Sequence, residues 1–201
     1  MGIEDRRLRD RSARRALIVA TARALAEREG WDAVTTRRLS TEIEYSQPVI
    51  YKHFSSMEDV AAAVALEGFA ELADVLAVAR LASAASPSAL RTVAHAFHRY
   101  AQDNPALYDA MFTRDSPLPF GDAGADAAMV AAFGEMRDAV AAAIGEGDVE
   151  TLTEVLWAAL HGLITLGRNS RLRRGLDDER IDRLVDQFIA AHVEDRVHPG
   201  Q

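Results

Sequence analysis

Gln47, Tyr51, Lys52 and His53 fall within seven residues, on a stretch that also carries Pro48 and Val49. These side chains suit contact with a duplex better than they suit catalysis. A glutamine amide pairs bidentately with adenine, Pro48 and Val49 can pack on a thymine methyl, and Lys52 can reach a guanine edge or a phosphate. Thr36, Arg37, Tyr51, His53 and Ser56 are hydrogen-bonding types that commonly hold phosphates, which fixes orientation without reading sequence. Tests for other chemistry come out empty. The chain has no G-x-S-x-G elbow, no P-loop and no dinucleotide fingerprint. Gly121 to Gly124 is a loop with acids beside it, the wrong charge for a phosphate cradle. His95 and His98, three apart on a predicted helix, could give two metal ligands, but no third lies at a sensible spacing and there is no cysteine. The sequence therefore predicts no metal site, no cofactor and no enzyme.

Two short helices must position the Gln47–His53 group. Thr35 and Thr36 can cap the first, whose apolar side is Leu39 and Ile43, four residues apart on one face. Tyr45-Ser46 breaks the pattern, and Ser46 is a good N-cap for the second helix. Pro48 falls in the first turn of that helix, where a missing N–H costs little. Ile50 and Phe54 repeat at four residues and point inward, leaving Gln47, Val49, Lys52 and His53 to point elsewhere. A helix-turn-helix lays such a second helix in the major groove.

The same residues resemble the TetR family of bacterial transcription regulators. The matching positions are Gly30, Thr35-Thr36, Leu39-Ser40, Val49-Ile50-Tyr51-Lys52-His53-Phe54 and Ser56, over about residues 12 to 65. The resemblance implies that Thr36, Tyr51 and His53 hold the DNA backbone. Two departures are visible. The family usually has glycine in the turn, where this chain has Glu44; a non-glycine residue forced to positive φ costs about 1 kcal/mol. It often has lysine after the capping serine, where this chain has Met57, so that phosphate contact is not expected. The second half resembles a variety of the family with a W-x-x-x-H-G arrangement, here Trp157, His161 and Gly162, and with the segment Asn104 to Phe112. The resemblance implies a homodimer, usually a repressor, that a small effector releases from a palindromic operator.

Charge distribution agrees with a DNA-binding N-terminus. The net charge is −8, yet residues 1–56 carry 11 Lys+Arg against 8 Asp+Glu, while residues 57–201 carry 12 against 23. Six arginines lie in the first fifteen residues. The acidic remainder would repel DNA and help orient the encounter. The Arg6–Arg15 arm is open to two readings, a phosphate or minor-groove contact or a solvated tail. No signal-like N-terminus and no run of about 18 apolar residues is evident, so the expected location is the cytoplasm, with no membrane partner.

The rest of the chain reads as helix throughout, giving an all-α fold of about nine helices. The expected domains are a DNA-binding part at 1–56 and an effector-binding and dimerisation part at 57–201. A first helix of about 12–29 is stopped by Gly30, and Trp31 is expected to plug the three-helix core. Further helices are expected at about 56–78, from Ser86-Pro87 to about 102, over 105–112, 125–145 and 148–170, and from an Asp177 cap to a tail fraying at Glu194. Residues 152–166 are apolar nearly all round, so that helix must be buried on two sides. Leu152, Leu156, Leu160 and Leu163, with Leu184 and Phe188 of the last helix, are the expected dimer face. Phe97, Tyr100, Tyr108, Met111, Phe112, Met129, Phe133, Met136 and Trp157, with His161, are the candidate effector lining, because methionine and aromatic side chains adapt to irregular ligands; plain core packing is the alternative for each. Two other readings of the whole chain stay open here, a helical small-molecule-binding protein without specific DNA binding and a protein-interaction module. Neither needs the arginine cluster or the Gln47–His53 surface.

Overall fold

The computed structural model describes residues 3–83, 87–120, 124–145 and 147–197. Among them are nine α-helices and one 3-10 turn, with no strand. The helices are α1 (Ile3–Glu29), α2 (Thr36–Glu42), α3 (Gln47–Tyr51), α4 (Met57–Ala82), α5 (Pro87–Asp103), α6 (Pro105–Phe112), α7 (Ala127–Ile144), α8 (Val149–Arg168) and α9 (Asp177–Val197). The 3-10 turn is Trp31–Ala33. Ser86 and the loop residues Gly121 to Ala123 lie outside the described residues. Packing divides the chain into two units, one of residues 1–69 with 104–126 and one of residues 70–103 with 127–201.

The first unit holds α1 to α3, the start of α4, and α6. The predicted stripe of α1, Ile18, Ala22, Leu25 and Ala26, is buried, as are Leu39 of α2, Ile50 of α3 and Phe54 just after it. Each large aliphatic or aromatic side chain among them contributes about 1.5–3 kcal/mol by leaving water. Gly30 ends α1 at φ 83°, and its N–H donates to the Ala26 carbonyl over 2.8 Å. Thr35 caps α2, its hydroxyl accepting from the Arg38 N–H at 3.2 Å. Glu44 stands at φ 56°, so the α2–α3 turn keeps the left-handed conformation without the glycine.

Two expectations for this unit change. α1 begins at Ile3, so the arginine arm is helical; nothing from Ile3 to Glu29 is proline or glycine, and Asp5–Arg9 and Asp10–Arg14 are favourable i,i+4 pairs. Trp31 does not plug the three-helix core: its indole N–H donates to the Ala106 carbonyl at 2.7 Å, and Arg114 lies over its ring at 5.2 Å. Close by, Glu27 of α1 accepts from the backbone N–H groups of Ala106 and Leu107, at 3.1 and 2.8 Å. A carboxylate from one helix thus caps the first turn of another, satisfying two of its orphan donors. Arg23 donates to Asn104 Oδ1 at 3.2 Å, beside the same turn. Gly68 lets α6 come close, since a Cβ there would meet Met111 Sδ at 2.7 Å and Leu107 Cδ1 at 2.8 Å.

In the second unit α5 packs on α7, α8 and α9. Its buried residues Leu90, Val93, Ala94, Phe97 and Ala101 recur at helical spacing. On its other side Arg91 reaches Asp182 at 2.6 Å and also pairs with Asp186, and His95 Nε2 meets Asp182 at 2.9 Å. Arg80 at the end of α4 pairs with Glu135 of α7 at 2.8 Å. α9 turns Ile181, Val185 and Phe188 inward, takes Asp177 as its first helical residue rather than its cap, and runs on past Glu194 to Val197. Its neighbour α8 is long and apolar enough to cross a membrane by length and composition only, with mean hydropathy 1.2, and Glu154 and His161 keep it from being an unbroken apolar run. One side of it is packed in this unit: Thr153, Leu156, Leu160 and Ile164 are buried, three and four residues apart.

Candidate nucleic-acid interface

α3 is only five residues long, so its direction is set by what holds its two ends. Ser46 takes the N-cap position with extended backbone, though its side chain makes no capping bond, and Pro48 stands in the first turn. At the other end Ile50 and Phe54 are buried, and the N–H groups of His53 and Phe54 both donate to the Ile50 carbonyl, at 2.9 and 3.0 Å. The Tyr51 hydroxyl lies 3.3 Å from Thr36 Oγ1, tying the end of α3 to the start of α2. Thr36 also donates to Met57 Sδ at 3.4 Å, so the methionine that replaces the family's lysine packs beside this pair. When Thr36 donates to sulfur, Tyr51 is left to donate to Thr36, and the tyrosine stays 57% exposed.

The sequence-predicted residues divide by what occupies them. Ser46, Gln47, Pro48, Tyr51 and Lys52 are exposed, Val49 and His53 half-buried. Of the neighbouring arginines, Arg38 is engaged by Glu29 at 2.9 Å and Glu42 at 3.1 Å, while Arg37 is exposed. The Ser56 hydroxyl accepts from the Asp59 N–H at 3.2 Å, and Asp59 in turn accepts from the Ser55 N–H at 3.0 Å, so Ser56 begins α4 as a cap. Burial, with Arg11, Arg14, Arg15 and Lys52 nearby, holds the His53 imidazole below its ordinary pKa of 6.5. Sequence reasoning missed one contact beside it. The Arg15 guanidinium lies over the Phe54 ring at 4.4 Å, packing the helical arm against the residue that ends the α3 region. The unbroken helical pattern from Ile3 was the signal for it.

The candidate effector residues fall in both units. Tyr108 and Met111 are fully buried in the first, where Tyr108, Phe112, Phe69 and Phe120 form a chain of rings with successive centroids 4.8, 5.3 and 5.9 Å apart. In the second, Phe97, Tyr100, Met129 and Met136 are buried, and Phe133, Trp157 and His161 half-buried. The Trp157 and His161 rings are 6.3 Å apart, and His161 Nε2 meets Thr165 Oγ1 at 3.4 Å. Burial, then Arg168, lowers the His161 pKa. A surface hollow of about 290 Å³ is bordered by Ala20, Thr21, Ala24, Leu25, Arg28 and Glu42, and by none of those candidates. His95 is held by Asp182 and Asp178, and His98 is buried. Among the described residues no three such side chains form a metal-holding group.

The six residues named for a dimer face also divide. Leu156, Leu160 and Phe188 are already buried within one chain, while Leu152, Leu163 and Leu184 are half-exposed. Leu152, Val155, Ala159, Gly162, Leu163 and Leu166 share the other face of α8 at helical spacing, with Val155 53% and Leu166 46% exposed.

Comparison with known proteins agrees with this arrangement in both halves. Residues 18–64 match the family model of "Bacterial regulatory proteins, tetR family", and residues 90–192 that of "Tetracyclin repressor-like, C-terminal domain". The uncharacterized HTH-type transcriptional regulator Rv0681 of Mycobacterium tuberculosis is 32% identical over 191 residues, 92% of this chain and 84% of that protein. A protein of unknown function from Rhodococcus sp. RHA1 has a similar structure, with TM-score 0.72 and 26% identity, over 89% of this chain and 94% of that one. RolR, solved with the ligand resorcinol, has the same fold at TM-score 0.67 and 15% identity, over 92% and 90% of the two chains. With the exposed face of α3 and its supports on one side, and family matches that take in most of both halves on the other, the chain belongs to the TetR family and is a DNA-binding transcriptional regulator.

Proposed function

We propose that this regulator is a homodimeric repressor that leaves its operator when a small molecule binds the C-terminal half. The observation that carries the DNA-reading part is the Thr36–Tyr51 contact. It fixes a five-residue helix whose Gln47, Pro48, Val49 and Lys52 are left to meet base edges. Arg37, Tyr51 and His53 hold phosphates beside them, and Ser46 and Ser56 lie at the two margins of this surface. The dimer forms on the outward stripe of α8 from Leu152 to Leu166, with Leu184 of α9 beside it. Leu156, Leu160 and Phe188 support that stripe from within. A two-fold dimer requires an inverted-repeat operator, with half-sites one helical turn, about 34–36 Å, apart.

The effector site is built from the second unit's Phe97, Tyr100, Met129, Phe133, Trp157 and His161; Tyr108, Met111 and Phe112, the other candidates for the lining, belong to the first unit. Resorcinol in RolR supports a small aromatic molecule as the kind of ligand this fold can hold. An effector acts only through its different affinities for the DNA-competent and released forms, and α4, which starts beside the Thr36–Tyr51 pair, is the lever between them. The functional division is thus DNA reading by residues 1–56 and sensing by 57–201, in the cytoplasm, where the operator is.

Selection of bound duplexes from a random-sequence pool tests this reading. Enrichment of an inverted repeat with half-sites one turn apart is the expected result. A pool that stays unenriched even at low salt overturns it.

A further inference from the structure

We infer that the helical N-terminal extension of α1 is a second DNA-contacting surface, one that grips backbone phosphates just outside the half-site that α3 reads. The inference rests on the DNA-reading proposal for its partner and adds a separate contact to it.

Arg7, Arg11, Arg14 and Arg15 recur at i, i+4, i+7 and i+8, so they share one face of α1. All four are exposed. Glu4, one turn earlier on the same side, ends the stripe. Arg15 anchors it, stacked over Phe54 at 4.4 Å. Arg11, Arg14 and Arg15 also lie close enough to His53 to depress its pKa together with Lys52. The basic stripe is therefore continuous with the α3 surface and runs away from it.

Width decides which part of DNA this stripe can meet. A helix with its side chains is about 10–12 Å across, whereas the minor groove is about 6 Å wide and the major groove about 12 Å. The minor groove cannot admit α1, and α3 fills the major groove at the half-site. The remaining acceptors are phosphates. From Arg15 to Arg7 the helix rises about 12 Å, which is the length of roughly three to four base pairs at about 3.4 Å each. The arm extends the footprint by that much and adds affinity without adding sequence information.

The test uses the full chain with two probes, a fragment from upstream of its own gene and a random-sequence duplex, each over a range of salt. The Arg7→Ala/Arg11→Ala/Arg14→Ala variant keeps the helix, since alanine favours it, and leaves Arg15 on Phe54. It should lower the slope of log affinity against log salt by about 0.9 for each phosphate that the arm no longer neutralises, on both probes alike. The corresponding triple lysine variant should keep the wild-type slope. Trimming away the roughly four base pairs that flank each half-site, the outermost pairs of the wild-type footprint, should weaken the wild type and leave the alanine variant unchanged. Ser12→Pro keeps every arginine but breaks the helix, and it should lose the dependence on flank length. An unchanged slope in the alanine variant, or a Ser12→Pro protein that behaves as wild type, overturns the inference. So does a wild type that responds to exchanging A·T for G·C pairs in the flank, which would mark a minor-groove contact. Failure of the wild type to prefer the upstream fragment, with the slope change intact on random duplex, would count against that fragment as the operator and support the arm contact.

Discussion

Tyr51 pairs a side chain that is more than half exposed with a hydroxyl held 3.3 Å from Thr36, so its removal and its trimming should differ. Tyr51→Ala should weaken binding by roughly tenfold on all sequences alike, because the phosphate-holding hydroxyl and the ring that supports it go together. Tyr51→Phe, measured by fluorescence anisotropy on the same duplexes, should retain part of that affinity. Gln47→Ala should instead relax preference at one or two base positions, at about 1–3 kcal/mol of discrimination; equal weakening on specific and random DNA would contradict the base-reading role. His53 supplies a pH test. Its pKa in the free protein lies below 6.5, so folding favours the neutral ring. The stability it contributes is full above 6.5 and declines as pH falls through the window beneath that value. A phosphate has the opposite effect, since it favours the charged ring. Operator affinity should therefore rise as pH falls through the same window, by at most about tenfold per unit for each copy bound. A His53→Gln variant should show a flatter profile, and identical profiles for the two proteins would remove His53 from the phosphate-holding set.

Local signals made the elements around the site legible, and contacts between distant segments escaped them. The Thr35 and Ser46 cap positions, the first-turn Pro48 and the Ile50–Phe54 spacing each announce themselves within a few residues, and all four stand as expected. Glu44 was legible only as a cost: its side chain pointed to a turn that departs from the family's, yet the backbone there keeps the left-handed conformation, at φ 56°. Glu44→Gly should then stabilise the protein by about 1 kcal/mol, the strain a side chain carries at positive φ, read as a higher urea midpoint with unchanged slope; a lower midpoint would mean that Glu44 makes a compensating contact. The capping of α6 by Glu27 was not legible, because the partners lie 79 and 80 residues apart. Glu27→Ala should cost about 1 kcal/mol, as removal of an N-cap does, and should speed hydrogen exchange at the Ala106 and Leu107 amides ahead of the rest of α6. Uniform exchange across α6 in both proteins would contradict the cap. α8 hid its orientation for another reason. A helix apolar nearly all round does not say which face its own unit takes, so Leu156 and Leu160 read as interface residues although they are core.

At the scale of the molecule, the charge partition, basic to residue 56 and acidic beyond it, presents one end of the chain to DNA and turns the other away. The positive end now has a structure: a helical arm, a fixed five-residue helix and a tyrosine that joins α3 to α2. Family membership explains why the two short helices occur together, and the stacking of Arg15 on Phe54 ties the arm to them. The central claim is that this end reads sequence. The most direct measurement is the ratio of affinities for the duplex enriched from the random pool and for a scrambled duplex of the same length, at physiological salt. A ratio of about a thousandfold or more is the result the account predicts, with Gln47→Ala reducing it. Equal affinity for the two duplexes, falling together as salt rises, would show a backbone binder without sequence reading and would contradict it.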